Sequence, residues 1–112
     1  MKIAIPTAGG LLAMHFGHCE SFTLIDVDET TKTIGKVTAV VPPPHQPGLL
    51  PPWVKEQGAT HVIAGGMGAR AQELFAAQGI KVLVGATAEN PEKIVSDFLT
   101  GKLIVGLNAC DH

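Results

Sequence analysis

This 112-residue chain predicts a single α/β domain, residues 1–112, built on a mixed sheet of about five strands flanked by helices. Three observations carry that expectation. Residues 1–41 hold β-branched and alternating runs separated by polar turns, as antiparallel strands do. From residue 49 onward, short apolar runs alternate with helix-like segments, the pattern of parallel strands joined by right-handed crossovers. The composition, 46% hydrophobic against 16% charged, is enough for one core without covalent staples.

The elements follow in order. Lys2 to Pro6 reads as the first strand, ended by proline and the turn-like Thr7-Ala8-Gly9-Gly10, and residues 7–20 form a long loop. Ser21 to Asp28 (SFTLIDVD) has the loose alternation of a half-buried strand. Asp28 to Lys32 is a polar hairpin turn, and Ile34 to Val41 is the returning strand. Pro42 to Gly48 (PPPHQPG) is irregular, because proline lacks the amide proton that helix and ladder both need. Leu49 to Gln57 is a helix with Pro51 and Pro52 in its first turn and Gly58 after it. His61 to Ala64 is a strand and Gly65 to Gly68 a turn. Ala69 to Gln78 is a helix that buries Ala71, Leu74, Phe75 and Gln78 at i, i+3, i+4, i+7 spacing. Ile80 to Val84 is a strand, and Pro91 to Leu99 a helix with Asn90 as its N-cap and Gly101 beyond its end. The order is β-β-β-α-β-α-β-α, with the first strand central: antiparallel to the second and parallel to the strand at 61–64. Residues 102–112 are too few for another unit.

Charge and composition exclude several function classes. The net charge of −2, with no run of Lys or Arg, argues against a nucleic-acid partner. The opening MKIAIP lacks the basic and long apolar regions of a signal peptide, and no apolar stretch approaches the ~20 residues of a membrane span. A cytoplasmic protein without a membrane partner is expected, in which a Cys19–Cys110 disulfide would be out of place.

Four constellations carry donor chemistry. Met14-His15-Phe16-Gly17-His18-Cys19 sets thiol, thioether and imidazole in one loop, donors that suit Cu(I) and metal–sulfur clusters. No C-x-x-C accompanies them, so the spacing does not match structural zinc. The plain alternative is that Phe16 plugs the core and the histidines are solvated. Gly65-Gly66-Met67-Gly68 joins a strand to a helix start, where converging amides and the helix dipole favour anions; a tight turn is the plain alternative. His45 is held among prolines, which equally describes a rigid exposed loop. At the end, Cys110-Asp111-His112 could wrap over a site, although chain ends are usually frayed. The apolar Leu103 to Leu107 run argues that this tail packs, delivering Cys110 or His112 to the site of its own chain or across a homodimer. His61 opens an apolar strand and reads as a packed or edge histidine rather than a ligand.

Taken together, His15-Phe16-Gly17 with Phe22, Pro44-His45 with Gly48 and Pro51, Ile63 to Gly68, Gly79-Ile80 and Gly101-Lys102-Leu103 resemble the dinitrogenase iron–molybdenum cofactor biosynthesis domain family, in its short stand-alone archaeal and bacterial members. The resemblance spans nearly the whole chain. It implies a ribonuclease H-like fold and the carriage of a metal–sulfur cluster containing Fe, Mo or Cu between donor and acceptor proteins. Cys19 after His18, and the Cys110-Asp111-His112 end, depart from several members and make direct ligation more credible here. The candidate metal ligands are therefore His15, His18, Cys19, His45, Cys110 and His112. Phe16, Gly17, Gly65, Gly66, Met67 and Gly68 are the candidate cofactor-binding residues, with His15, His45 and Met67 expected around one pocket. Nuclease chemistry does not come with the fold: it needs clustered carboxylates, whereas Asp26 and Asp28 lie near a hairpin turn and the first strand has none. A non-enzymatic carrier is expected. The rivals are a thiol-dependent enzyme using Cys19 with His15 or His18 as base, and a regulatory protein-interaction module.

Overall fold

In the computed structural model, which describes residues 1–14, 19–43 and 48–103, the first strand lies mid-sheet. Among the described residues the elements run in the order β1 (Lys2–Ala8), β2 (Leu11–Leu12), β3 (Ser21–Asp28), β4 (Thr33–Val40), α1 (Leu50–Glu56), β5 (His61–Ile63), α2 (Ala69–Ala77), β6 (Lys81–Leu83) and α3 (Pro91–Leu99). The sheet order is β4-β3-β1-β5-β6, with β2 paired to β1. β1 is antiparallel to β3, from Lys2 opposite Asp26 to Thr7 opposite Ser21, and parallel to β5 at Ile3 and Ala4. This is the mixed α/β sheet expected from the sequence, and it is compatible with the ribonuclease H-like name.

Two details differ from expectation. β1 runs through Pro6 to Ala8, because its ladder with β5 is registered only at Ile3 and Ala4; Pro6 lies beyond it, where no amide is demanded. β2 is a sixth strand of two residues, too short to leave a periodic signature in the sequence. It folds back through Gly9 and Gly10, both at positive φ, to place Leu12 opposite Thr7.

Side chains alternate between two cores, one on each face of the sheet. Ala4, Phe22, Leu24, Val62 and Ala64 point to one face, where Leu50 and Val54 of α1 and Phe75 of α2 cover them. Ile3, Ile5, Ile25, Val27 and Ile63 point to the other, under Ile94 and Val95 of α3. Burial on both faces is why these strands read as near-continuous apolar runs. The Trp53 ring of α1 meets Phe22 at 5.6 Å between centroids, tilted 55°, a contact worth about 0.5–1.5 kcal/mol beyond its area. Of the four residues expected to be buried on α2, only Phe75 is; Ala71, Leu74 and Gln78 are half-buried, because α2 packs beside the edge strand β6.

α3 is the best-capped helix. The Asn90 side-chain oxygen accepts from the Glu92 amide at 2.9 Å, and Pro91 occupies the first turn. Between β3 and β4, Asp28 Oδ1 accepts from the Thr30 and Thr31 amides, which closes the hairpin turn. The β3–β4 register shifts between Ile25 and Val27, so that Gly35 and Lys36 together face Asp26 as a bulge. Among the described residues, no helix is long and apolar enough to cross a membrane.

Candidate functional site

The carboxyl end of β1 organises the candidate site. Its last turns of chain carry two outgoing anchors: the Pro6 carbonyl accepts from the Ala13 amide at 2.8 Å, and the Thr7 carbonyl accepts from the Glu20 amide at 2.8 Å. The histidine-containing stretch therefore leaves and re-enters the fold at adjacent residues of one central strand. Side chains reinforce both feet. Glu20 Oε1 accepts from the Gly9 amide at 2.6 Å. The Thr7 hydroxyl, 3% exposed, donates to the Ser21 carbonyl at 3.0 Å and lies 2.8 Å from Ser21 Oγ and 3.4 Å from Thr23 Oγ1. β2 is tied from its other side, with the Leu12 amide donating to the Glu89 carbonyl at 3.0 Å.

The turn after β5 closes against this platform. A Cβ on Gly65 would stand 3.0 Å from Met14 Cα, 3.1 Å from Met14 O and 3.1 Å from Leu12 Cδ2. Glycine suits this approach, since a Cβ would press mostly on backbone atoms, which would have to give by a few tenths of an ångström. The same turn is braced from β6, because the Gly65 carbonyl accepts from the Gly85 amide at 2.9 Å. Gly66 is buried, whereas Gly68 is exposed and opens α2 with extended backbone and no side-chain cap. The first turn of α2 holds no acidic residue, which leaves the positive end of the helix dipole uncompensated.

The sulfur-bearing residues differ in exposure. Met14 is 41% exposed at the head of the loop. Met67 is fully buried in the core beneath α1 and α2, and its carbonyl accepts from Gln72 Nε2 at 2.9 Å. Cys19 is half-buried, a free thiol packed against that same core. Burial pushes its pKa above the ordinary thiol value, more than a backbone hydrogen bond lowers it.

Of the residues singled out from sequence, the structure brings Cys19 and Met67 to one core and sets Gly65 against Met14. His15, Phe16, Gly17, His18, His45, Cys110 and His112 lie outside the described residues. The pocket expected around His15, His45 and Met67 falls outside them for the same reason. His61 is half-buried, its ring 6.0 Å from Phe98 and its Nδ1 2.8 Å from Thr60 Oγ1, as a packed histidine would be. Among the described residues, no three His, Cys, Asp or Glu side chains are grouped to hold a metal ion. Sequence reasoning missed the Thr7–Ser21–Thr23 hydroxyl cluster and the role of Glu20. Their positions are set by strand register between residues far apart in the chain, and no local motif marks them. Among the described residues, a concavity of about 680 Å³ along α2 and β6 and another of about 230 Å³ near the start of β1 lie away from this platform.

Known proteins share this fold. No curated protein matches the chain significantly. The crystal structure of PH0822 is similar over 97% of both chains, with 29% identity and a TM-score of 0.88. The apo form of the orange protein from Desulfovibrio gigas shares the fold over 96% of this chain and 93% of its own, at 23% identity and a TM-score of 0.69. A Methanocaldococcus jannaschii protein does so over 96% of each, at 19% identity and a TM-score of 0.72. The family model described as dinitrogenase iron–molybdenum cofactor matches residues 1–101, which takes in every described element: the chain belongs to that family.

Proposed function

We propose that this protein binds a metal–sulfur cluster as cargo and carries it between donor and acceptor proteins in the cytoplasm, without catalysing a reaction itself. The observation that carries this reading is the platform at the end of β1. It fixes both feet of a donor-rich loop on consecutive residues and presses the Gly65 turn against Met14. Family membership supports a cluster-related role. A polyanionic sulfide cluster suits the setting, because the uncompensated start of α2 and a soft thioether and thiol offer it attraction without a full positive charge.

Cys19 supplies the strongest donor among the described residues. Burial keeps its thiol protonated in the free protein, which counts against the rival reading as a nucleophile; a soft metal would displace that proton on binding. His15, His18 and His45 supply imidazoles, and Cys110 and His112 a second thiolate and a terminal donor.

The test is anaerobic loading with tetrathiomolybdate and Cu(I), or with Fe(II) and sulfide, followed by gel filtration and metal and sulfide analysis. Stoichiometric retention of metal together with sulfide is expected, reduced at least tenfold in Cys19→Ser. Absence of retained sulfide-bearing metal under both regimes would overturn the carrier reading. A metal-independent activity lost in Cys19→Ser would instead establish the thiol enzyme.

A further inference from the structure

A second site lies at the opposite end of β1 from the loop anchors. Where β3 and β4 run past the end of α1, a concavity of about 230 Å³ opens on the sheet face. Cross-strand partners build its floor: Lys2 stands opposite Asp26, and Leu24 opposite Thr38. Gln57, the C-cap residue of α1, walls one side, and its carbonyl accepts from Lys2 Nζ at 3.2 Å. Lys2 Nζ also lies 3.7 Å from Asp26 Oδ1. Lys2 is thus held by two acceptors, and Asp26 is neutralised.

Lys36 is different. The bulge that sets Gly35 and Lys36 together against Asp26 restores the alternation of β4 one residue out of step. It thereby brings Lys36 onto the face shared by Asp26 and Thr38, and bulges commonly re-aim a side chain in this way. Among the described residues the Lys36 ammonium and the Thr38 hydroxyl have no side-chain partner. Two ammonium groups against one carboxylate leave the lining with one surplus positive charge, and Leu24 and Val40 add apolar surface beside it.

We propose that this concavity binds a small organic monocarboxylate, with the carboxylate between Lys36 and Thr38 and a short aliphatic body on Leu24 and Val40. The charge balance selects a monoanion, since a dianion would meet Asp26 as well as the lysines. The volume is below the roughly 300–1,000 Å³ of pockets for drug-sized ligands, which restricts the body to a few carbons. The site shares no residue with the loop platform, so it stands or falls independently of the cluster reading.

The test is an amide-resolved NMR titration of the full chain with isovalerate, with the neutral isovaleramide as control. Saturable shifts confined to Lys2, Leu24 to Asp26, Lys36 to Val40 and Gln57 are expected, with a dissociation constant of about 0.1–10 mM for so small a ligand. Binding weakens about tenfold in Lys36→Met and for isovaleramide, as loss of one charge-assisted contact implies. Lys32→Met, on the hairpin turn, leaves it unchanged. The same spectra report folding, and Thr38→Val, with an expected weakening of a few-fold, provides a second reading if Lys36→Met fails to fold. No saturable shifts, equal binding of acid and amide, or undiminished binding in the folded variant would each overturn the proposal.

Discussion

At Gly65 a single methyl group would crowd two parts of the site against each other. An added Cβ would sit 3.0 Å from Met14 Cα, and backbone cannot swing aside as a side chain can. Gly65→Ala is therefore expected to destabilise the fold by about 1–3 kcal/mol in urea unfolding, with amide shifts concentrated around Met14 and Leu12. Gly68, with nothing within 4 Å of its Cβ position and ordinary negative φ, is the matched control and should tolerate alanine far better. Among the described residues, His61 has a pKa shift that bears on stability near neutral pH. Burial lowers its folded pKa from 6.5, and the Lys81 ammonium adds to the shift. The unfolded chain thus holds more of the proton between the folded value and pH 6.5, so stability rises with pH across that window and is lost as pH falls below 6.5. The difference in urea midpoint between the native chain and His61→Gln should shrink or reverse on acidification through this range. A difference independent of pH would contradict the assignment.

Helices and strands were legible to different depths. α3 carries every signal at once: Asn90 before Pro91, apolar Ile94 and Val95 on one side, and Gly101 at positive φ after its end. Its boundaries in the sequence and in the structure coincide. Asn90→Ala should remove the bond to the Glu92 amide and cost about 1 kcal/mol of stability, measured by urea or thermal unfolding, whereas Asn90→Ser should restore most of it. The β3–β4 hairpin was equally clear, because Asp28 and its neighbours announce a turn between two β-branched runs. β1 beyond Pro6 and the whole of β2 were not. Proline's missing amide argued for an end to the strand, and only the position of β5 in space shows that the amide has no partner to lose. In the site, Cys19 and the Gly65–Gly68 turn stood out by residue type, whereas Thr7, Ser21 and Glu20 did not. Hydroxyls and carboxylates are common in any chain, and what makes these matter is a cross-strand register that no stretch of sequence encodes locally.

The whole molecule is a sheet with a separate apolar core on each face. Ile80 belongs to one and Ile94 to the other. Ile80→Val and Ile94→Val should each cost about 0.5–1.5 kcal/mol, and their effects should add within about 0.5 kcal/mol in the double variant, because the sheet stands between them. Ile94→Val with Ile25→Val, two residues of one core, should depart from additivity by more. Urea unfolding of the single and double variants measures both. The hydrogen bonds from Ala13 to Pro6 and from Glu20 to Thr7 have a bearing on how such a protein changes over generations. They close the donor loop at its base, so the sheet is complete before any residue between them is specified. Doubling the length of a closed loop costs only about 0.6 kcal/mol in chain entropy, less than one buried methylene contributes. The segment between these two bonds can therefore lengthen or shorten at little cost to the strands that hold it, a replaceable cassette on a fixed mount, with Cys19 its tie to the core below.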